Sequence, residues 1–160
     1  MAEELTRADI VEIMRGERFV MMTSVAADGT LQSYPMTPQE VTEEAVVRFF
    51  IGLQGDQAEN LRKNGQVNLA FAEAGSWLSV SGTVEFEEDR ATIERLWNDA
   101  AGAWFEHGKE DPNLGVLRFE GESAQFWGQP GGRAKALGAI LKAKVTGQRP
   151  QGSSETVELG

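Results

Sequence analysis

The sequence predicts an α+β fold, a small antiparallel β-barrel of about six to seven strands with flanking helices. Short runs of alternating apolar residues, separated by glycine-containing turns, predict the strands. Apolar residues at helical spacing predict the helices, in the order helix, hairpin, strand, helix, hairpin, helix, hairpin, helix. An open sheet of long antiparallel strands would leave two aggregation-prone edges, so the pattern favours closure into a barrel.

The N-terminal part predicts a helix followed by a β-hairpin. Thr6 is a suitable N-cap for the helix, and Gly16 is a suitable stop. The stretch FVMMTSVAADGTLQSYPM then contains two apolar-rich runs around Asp28-Gly29. An Asp-Gly pair tolerates the positive φ of a tight turn, so the two runs are predicted to pair as a hairpin.

A third strand, a short helix and a second hairpin follow. VVRFFIG predicts the strand, and residues 56–64 predict a helix that ends at Gly65. Apolar residues alternate in VNLAFAE and again in WLSVSGTVEFEE, with a turn at Ala74-Gly75 between them. This alternation is typical of strands that bury one face.

The C-terminal part predicts a helix, another hairpin and a last helix. Asp89 is a suitable cap for a helix with one apolar stripe, whose members are Ile93, Leu96, Trp97, Ala100, Ala101 and Trp104. We interpret both tryptophans of this stripe as core residues. LGVLRFE and SAQFWGQ predict two strands around a turn at Gly121-Glu122, and residues 134–145 predict the last helix. One domain is therefore expected over residues 1–146, with a loose tail over residues 147–160.

Composition excludes several classes of function. The chain has 160 residues, no cysteine and one histidine, His107. The lack of cysteine excludes disulfides and thiolate sites, and the single histidine argues against a multi-histidine metal site. We interpret His107 as a loop residue. The net charge of −10 and the lack of a basic face argue against nucleic-acid binding. The acidic, amphipathic N-terminus resembles neither a signal peptide nor a membrane anchor, so a cytoplasmic protein without a membrane partner is expected.

Three stretches resemble a known family. They are VMMTSVAADGTLQSYPMTPQEV, then VVRFFIGLQGDQAENLRKNGQVNLAFAE, and the region from WLSVSGTVEFEE to SAQFW, which contains ERLWNDAAGAWFEHGKEDPNL. Together they resemble the pyridoxamine 5′-phosphate oxidase-like superfamily, and more narrowly its bacterial general stress proteins. The resemblance implies an FMN-binding split β-barrel that forms a homodimer. The flavin, a small-molecule ligand, would lie in the groove between subunits.

The resemblance also implies cofactor-binding positions, several of which carry atypical residues. Relatives have a basic residue in the second strand before Pro-Met, where this chain has Tyr34, followed by Pro35 and Met36. The third strand of relatives ends with a hydroxyl residue after its aromatics. In this chain, Phe50 is followed by Ile51 instead.

The turn IGLQGDQAENL also differs from the sequence that relatives have at this place. The serine and lysine that relatives offer to the phosphate are replaced by Gly55 and Gln57. The helix that follows can still present backbone amides and partial positive charge to an anion. Two tryptophans complete the implied site, because Trp77 could line the partner's site and Trp127 resembles a tryptophan contributed across the dimer.

Two functions therefore stay open, and a third is disfavoured. The first is an FMN-binding general stress protein, with an FMN-dependent oxidoreductase acting on a small molecule as its enzymatic form. The second is a degenerate, non-enzymatic split barrel that has lost its phosphate clamps and binds another ligand or a protein partner. A true pyridoxamine phosphate oxidase is disfavoured, because basic substrate-phosphate residues are not found near the C-terminus. No side chain is identified as catalytic, and no metal site is expected.

Overall fold

Eleven helices and strands form the computed structural model, which describes residues 5–73, 76–128 and 153–159. In chain order they are α1 Arg7–Arg15, β1 Val20–Val25, β2 Leu31–Met36, β3 Pro38–Val41, β4 Val46–Gly52, α2 Asp56–Lys63, β5 Gln66–Glu73, β6 Ser76–Glu87, α3 Arg90–Leu96, β7 Leu114–Gly128 and β8 Ser153–Glu158. Two short 3₁₀ turns, Ala101–Ala103 and Gly108–Glu110, connect α3 to β7.

The strands form one antiparallel sheet in the order β2-β1-β5-β6-β7-β4-β3, and β8 pairs with β7. Strand β7 has three neighbours, since β6 runs along one side while β4 and β8 share the other. The end strands β2 and β3 are separated in the chain only by Thr37, so the sheet must curl until its ends approach each other. This curled antiparallel half-barrel with three helices confirms the predicted α+β split barrel.

The first helix and the first hairpin form as local chemistry predicts. The Thr6 hydroxyl accepts a hydrogen bond from the Asp9 amide, and the Asp9 carboxylate accepts one from the Thr6 amide. Gly16 ends α1. In the hairpin, Gly29 has φ 87° and the flanking residues pair in register. The apolar side of α1 then packs onto the main core, whose largest fully buried side chains include Phe49, Phe71, Phe119 and Phe126.

Strand β7 corrects the predicted hairpin at Gly121-Glu122. Residues 114–128 form one continuous strand, and Gly121 lies inside it, opposite Gly82 of β6. A Cβ on Gly82 would lie 2.1 Å from the Glu120 carbonyl oxygen. These glycines therefore permit a close approach at an irregularity in the β6–β7 register, and they do not form a turn.

The region after α3 corrects the predicted apolar stripe. Helix α3 ends at Leu96, and Trp104 is 83% exposed on a separate 3₁₀ turn, so its prediction as a core residue is wrong. The cause lies in Asn98, whose side-chain oxygen accepts a hydrogen bond from the Ala101 amide at 3.0 Å. Such a local bond favours a new turn over helix continuation. Trp97 is half-buried and packs against Phe50 with ring centroids 5.9 Å apart.

Residues 153–159 correct the part of the predicted loose tail that the structure describes. Ser153–Glu158 forms β8 along β7, and Leu159 is buried in the main core. The Leu159 amide also donates to the Glu122 carbonyl at 2.8 Å. The predicted helix over 134–145, the domain boundary at 146 and the turn at Ala74-Gly75 lie outside the described residues. Strand β3 was not predicted, because its four residues show no alternation.

Candidate functional site

The turn between β4 and α2 keeps a free helix N-terminus. Gly55 is the N-cap of α2, has φ 121°, and makes no side-chain capping bond. Its open surroundings leave room beside the first backbone amides of the helix. Asn113, which the sequence did not single out, braces the turn: its side-chain oxygen accepts from the Gln54 amide at 2.7 Å, and its carbonyl from the Leu53 amide at 2.8 Å.

Strand β2 brings predicted site residues to this turn. The Gln57 side-chain amide donates to the Met36 sulfur at 3.6 Å, which joins α2 to the end of β2. Tyr34, two residues earlier, donates its hydroxyl to the Gln32 side-chain oxygen at 2.8 Å. Tyr34, Met36, Gly55 and Gln57 therefore meet at one corner of the fold, hereafter the α2 corner.

The cations of α2 are already engaged at this corner. The Arg62 guanidinium donates to the Leu53 carbonyl at 3.0 Å and lies 4.9 Å from the centroid of the Phe86 ring. Lys63 forms an exposed ion pair with Glu59 at 3.3 Å. Asp56 forms no ion pair within the described residues. A phosphate at the N-terminus of α2 would therefore find backbone amides and uncompensated negative charge, without a free helix cation.

A cavity of about 500 Å³ adjoins the α2 corner. It lies between the turn of the β1–β2 hairpin and the exposed side of α2, and its lining residues are Ala26, Ala27, Asp28, Gln32, Tyr34, Asp56, Glu59, Asn60 and Lys63. Hydrogen bonds from the side chain and backbone of Thr30 hold the pKa of Asp28 below its usual value, so this carboxylate is ionised at neutral pH. Asn60 is only 9% exposed, and its side chain makes no hydrogen bond within the described chain.

The predicted positions on β4 lie away from this cavity. Ile51 is 4% exposed and belongs to the main core. Phe50 points to the other side of the strand, where it packs partly buried in a smaller cluster with Leu114 and Val116. The structure therefore places these two residues in packing roles within one chain.

The remaining predicted residues lie on the outer face of the sheet. Trp77 of β6 and Trp127 of β7 are directly opposite each other, and they are 54% and 40% exposed. Pro35 projects from β2 on the same face, opposite Met21 of β1. From β2 to β7 this outer sheet face carries no charged side chain at the following paired positions: Met21, Thr23, Val25, Leu31, Ser33, Pro35, Asn68, Ala70, Ala72, Trp77, Ser79, Ser81, Ser123, Gln125 and Trp127.

Within one chain, the predicted residues of the α2 corner and the two tryptophans Trp77 and Trp127 do not lie together. Three strand spacings, about 14 Å, separate β2 from β6. Tyr34 also lines the cavity beside α2, whereas Trp77 projects from the opposite face of the sheet. A ligand that contacts both groups would need the tryptophans of a second copy.

The curled sheet and its flanking helices define an α+β split barrel, as the resemblance implied. The chain belongs to the pyridoxamine 5′-phosphate oxidase-like family, whose model matches residues 6–151. No curated protein sequence matches it. Among the described residues, no helix is long and apolar enough to cross a membrane, and no three acidic or histidine side chains cluster as a metal site.

Several solved structures share the fold. A protein described as general stress protein 26, from Jannaschia sp. CCS1, is 25% identical, with 94% of this chain and 96% of that chain covered and a TM-score of 0.75. The general stress FMN/FAD-binding protein of Xanthomonas citri is 30% identical, with 76% and 87% covered and a TM-score of 0.66. A general stress family protein of Xanthomonas campestris pv. campestris is also 30% identical, with 81% and 91% covered and a TM-score of 0.67. The relatives are thus general stress proteins, one of them described as flavin-binding.

Proposed function

We propose that this chain is a flavin-binding general stress protein that works as a homodimer, with FMN as the expected flavin. The observation that carries the proposal is the set of uncharged positions named above on the outer sheet face, with their pair of exposed tryptophans, in a chain of net charge −10. The 30% identity to a general stress FMN/FAD-binding protein supports the same conclusion.

The polar groups of the outer sheet face favour its burial against a second copy. The hydroxyls of Thr23 and Ser33 lie 2.7 Å apart, and the Asn68 side-chain amide donates to the Ser79 hydroxyl at 2.7 Å. Because these groups bond to one another along the sheet, covering them leaves few unpaired donors or acceptors. Large apolar side chains exposed together on such a face, as Trp77 and Trp127 are, typically mark an interaction site.

The flavin would lie where the outer sheet face of one copy meets the α2 corner of the other. Trp77 and Trp127 offer planar surfaces to the ring, and the first amides of α2 offer hydrogen bonds to the distal end of its side chain. The flavin, once bound, would supply hydride or electron transfer. No described residue is placed as an acid or base, so the protein's role would be binding and orientation.

An FMN titration of the purified, flavin-stripped protein tests the proposal. Saturable quenching of flavin fluorescence at physiological salt, with a micromolar or tighter dissociation constant, is the expected result. Trp127→Phe should weaken binding about threefold to tenfold, because a stacking surface shrinks. Trp104→Phe is the matched control, since this tryptophan is exposed outside the outer sheet face. Absence of binding at high micromolar flavin would refute the proposal.

A second candidate function has its own supporting observation. The α2 corner lacks a free helix cation and carries Asp56 in its first turn. A degenerate split barrel that binds another ligand or a protein partner would have this property. A thermal-shift screen separates the two, because stabilisation by any flavin favours the first function and stabilisation only by a non-flavin ligand favours the second.

A further inference from the structure

We infer that the cavity beside α2 selects an uncharged, hydroxylated chain, so that the site binds riboflavin at least as tightly as FMN. The inference rests on the proposed flavin function and deepens it, since it assigns the chemical class of the ligand's distal end. The cavity is continuous with the α2 corner: Tyr34 lines it two residues before Met36, and Asp56 lines it beside Gly55.

The charge of the cavity opposes a phosphate. Asp28 enters from the hairpin turn, and Asp56 and Glu59 enter from the first turn of α2. Lys63 is the only cation among the lining residues, and it is already paired with Glu59. A phosphate dianion placed here would meet like charges on both walls, which disfavours binding even where solvent screens part of the repulsion.

The same groups suit a chain of neutral hydroxyls. Each carboxylate accepts hydrogen bonds from hydroxyls without a charge penalty. Asn60 is nine-tenths buried and lines the cavity, and its amide has no hydrogen-bond partner within the described chain. One side-chain amide can both donate to and accept from hydroxyls on neighbouring carbons. The volume of about 500 Å³ lies within the usual range of small-molecule pockets.

A second buried polar group lies on the same side of the hairpin. The Ser24 hydroxyl has no hydrogen-bond partner within the described residues, although Ser24 is 1% exposed. Ser24 pairs across β1 and β2 with Gln32, so both side chains project toward the side of the sheet that holds the cavity. Buried polar groups are rarely left without a partner. Asn60 lines the cavity itself, and Ser24 lies on the same side of the hairpin, so both observations favour a polar ligand.

The first experiment compares riboflavin and FMN on the flavin-free, full-length protein at low and high salt. Riboflavin should bind at least as tightly as FMN. FMN affinity should rise with salt as repulsion is screened, while riboflavin affinity stays constant. FMN binding that is about tenfold tighter than riboflavin binding and weakens with salt would overturn the inference. Binding of neither flavin would instead overturn the proposed function, so the two failures are distinguishable.

Single substitutions then identify which residues determine the preference between riboflavin and FMN. Asp56→Asn should raise FMN affinity about threefold to tenfold and leave riboflavin unchanged, because it removes one negative charge at constant shape. Glu12→Gln, on the exposed side of α1, is the matched control and should change neither affinity. Asn60→Asp keeps the side-chain shape and should weaken FMN binding more than riboflavin binding. Arg133 follows Gly131 and Gly132 in the sequence, outside the described residues. An FMN preference that Arg133→Ala abolishes would show that this cation binds the phosphate, and it would refute the inference.

Discussion

Introducing a charge at the centre of the outer sheet face should dissociate the proposed homodimer. Ala70 lies in the row that runs from Met21 of β1 to Ser79 of β6, and it is exposed in the single chain. Ala70→Arg therefore adds its side chain to solvent and leaves the packing of the monomer unchanged. In a dimer formed through this face, the guanidinium would lose water, and none of the paired positions of the face named above carries a carboxylate.

The size of the effect follows from the geometry of the face. Five strands at about 4.8 Å and three rows of side chains at about 6.8 Å give about 500 Å² in projection. This is more than half of the roughly 800 Å² that each partner buries in a standard interface. An uncompensated buried charge costs about 3–5 kcal/mol, and each copy of a two-fold dimer carries one. The dimer dissociation constant should therefore increase at least about 100-fold.

Sedimentation velocity over a dilution series measures this constant directly. Ala91→Arg is the matched control, because it places the same charge on the exposed side of α3, outside the face. Circular dichroism spectra should be the same for both variants and the unmodified chain. A dimer that persists unchanged in Ala70→Arg, or an unmodified chain that stays monomeric at every concentration, would refute the assignment of this face.

Three further predictions concern stability and the α2 corner. Gly82→Ala should lower the free energy of unfolding by about 3 kcal/mol or more, because its Cβ would lie 2.1 Å from a carbonyl oxygen. Gly16→Ala is the control, since its Cβ would lie 3.4 Å from the nearest atom and should lower the free energy of unfolding far less. Urea denaturation measures both. Glu40→Gln should lower the free energy of unfolding by about 1–3 kcal/mol at neutral pH and by progressively less in acid. The hydrogen bond from Arg95 holds the pKa of Glu40 below its usual value. The stabilising contribution of the Glu40 carboxylate is therefore lost as the pH falls through that lowered pKa. A pH-independent difference in Tm would contradict this sign. Asn113→Ala should speed hydrogen exchange of the turn amide that Asn113 binds and weaken flavin binding, and unchanged exchange would show that the turn is braced by other contacts.

Local chemistry explains why some elements could be predicted from the sequence. The Thr6 cap, the Gly16 stop and the Asp28-Gly29 turn depend on residues within a few positions of one another. Their hydrogen bonds and dihedral angles form wherever the segment lies, so the pattern suffices.

Strand β7 and the residues after α3 depend on distant or competing contacts. A Gly-Glu pair within fifteen strand residues is indistinguishable by pattern from a turn. It stays extended because β6 pairs with β7 on both sides of this point, from Val116 to Gly128, and Gly82 lies opposite Gly121. Trp104 falls on a helical stripe by spacing, but the Asn98 side chain ends the helical run before that stripe can be buried.

Part of the candidate site could likewise be predicted from local sequence, and part of it could not. Residues 34–36 and 51–57 could be selected because their letters resemble family motifs, and the structure joins β2 to α2 through the Met36–Gln57 contact. The acidity of the cavity could not be predicted, because Asp28 and Asp56 are 28 positions apart in the sequence and approach only when the hairpin folds over α2. The buried amide of Asn60 carries no sequence signature, since it looks like an ordinary polar position of an amphipathic helix.

A ligand that lies between two copies must also change their association. If the flavin contacts Trp127 of one copy and the α2 corner of the other, the factor by which dimerisation tightens flavin binding equals the factor by which flavin tightens the dimer. Saturating riboflavin should therefore lower the dimer dissociation constant, and Ala70→Arg should weaken flavin binding although Ala70 lies outside the α2 corner. Sedimentation with and without flavin measures the first factor, and flavin titration of the variant measures the second. Equal flavin affinity in monomeric Ala70→Arg and in the unmodified dimer would place the entire flavin site within one chain.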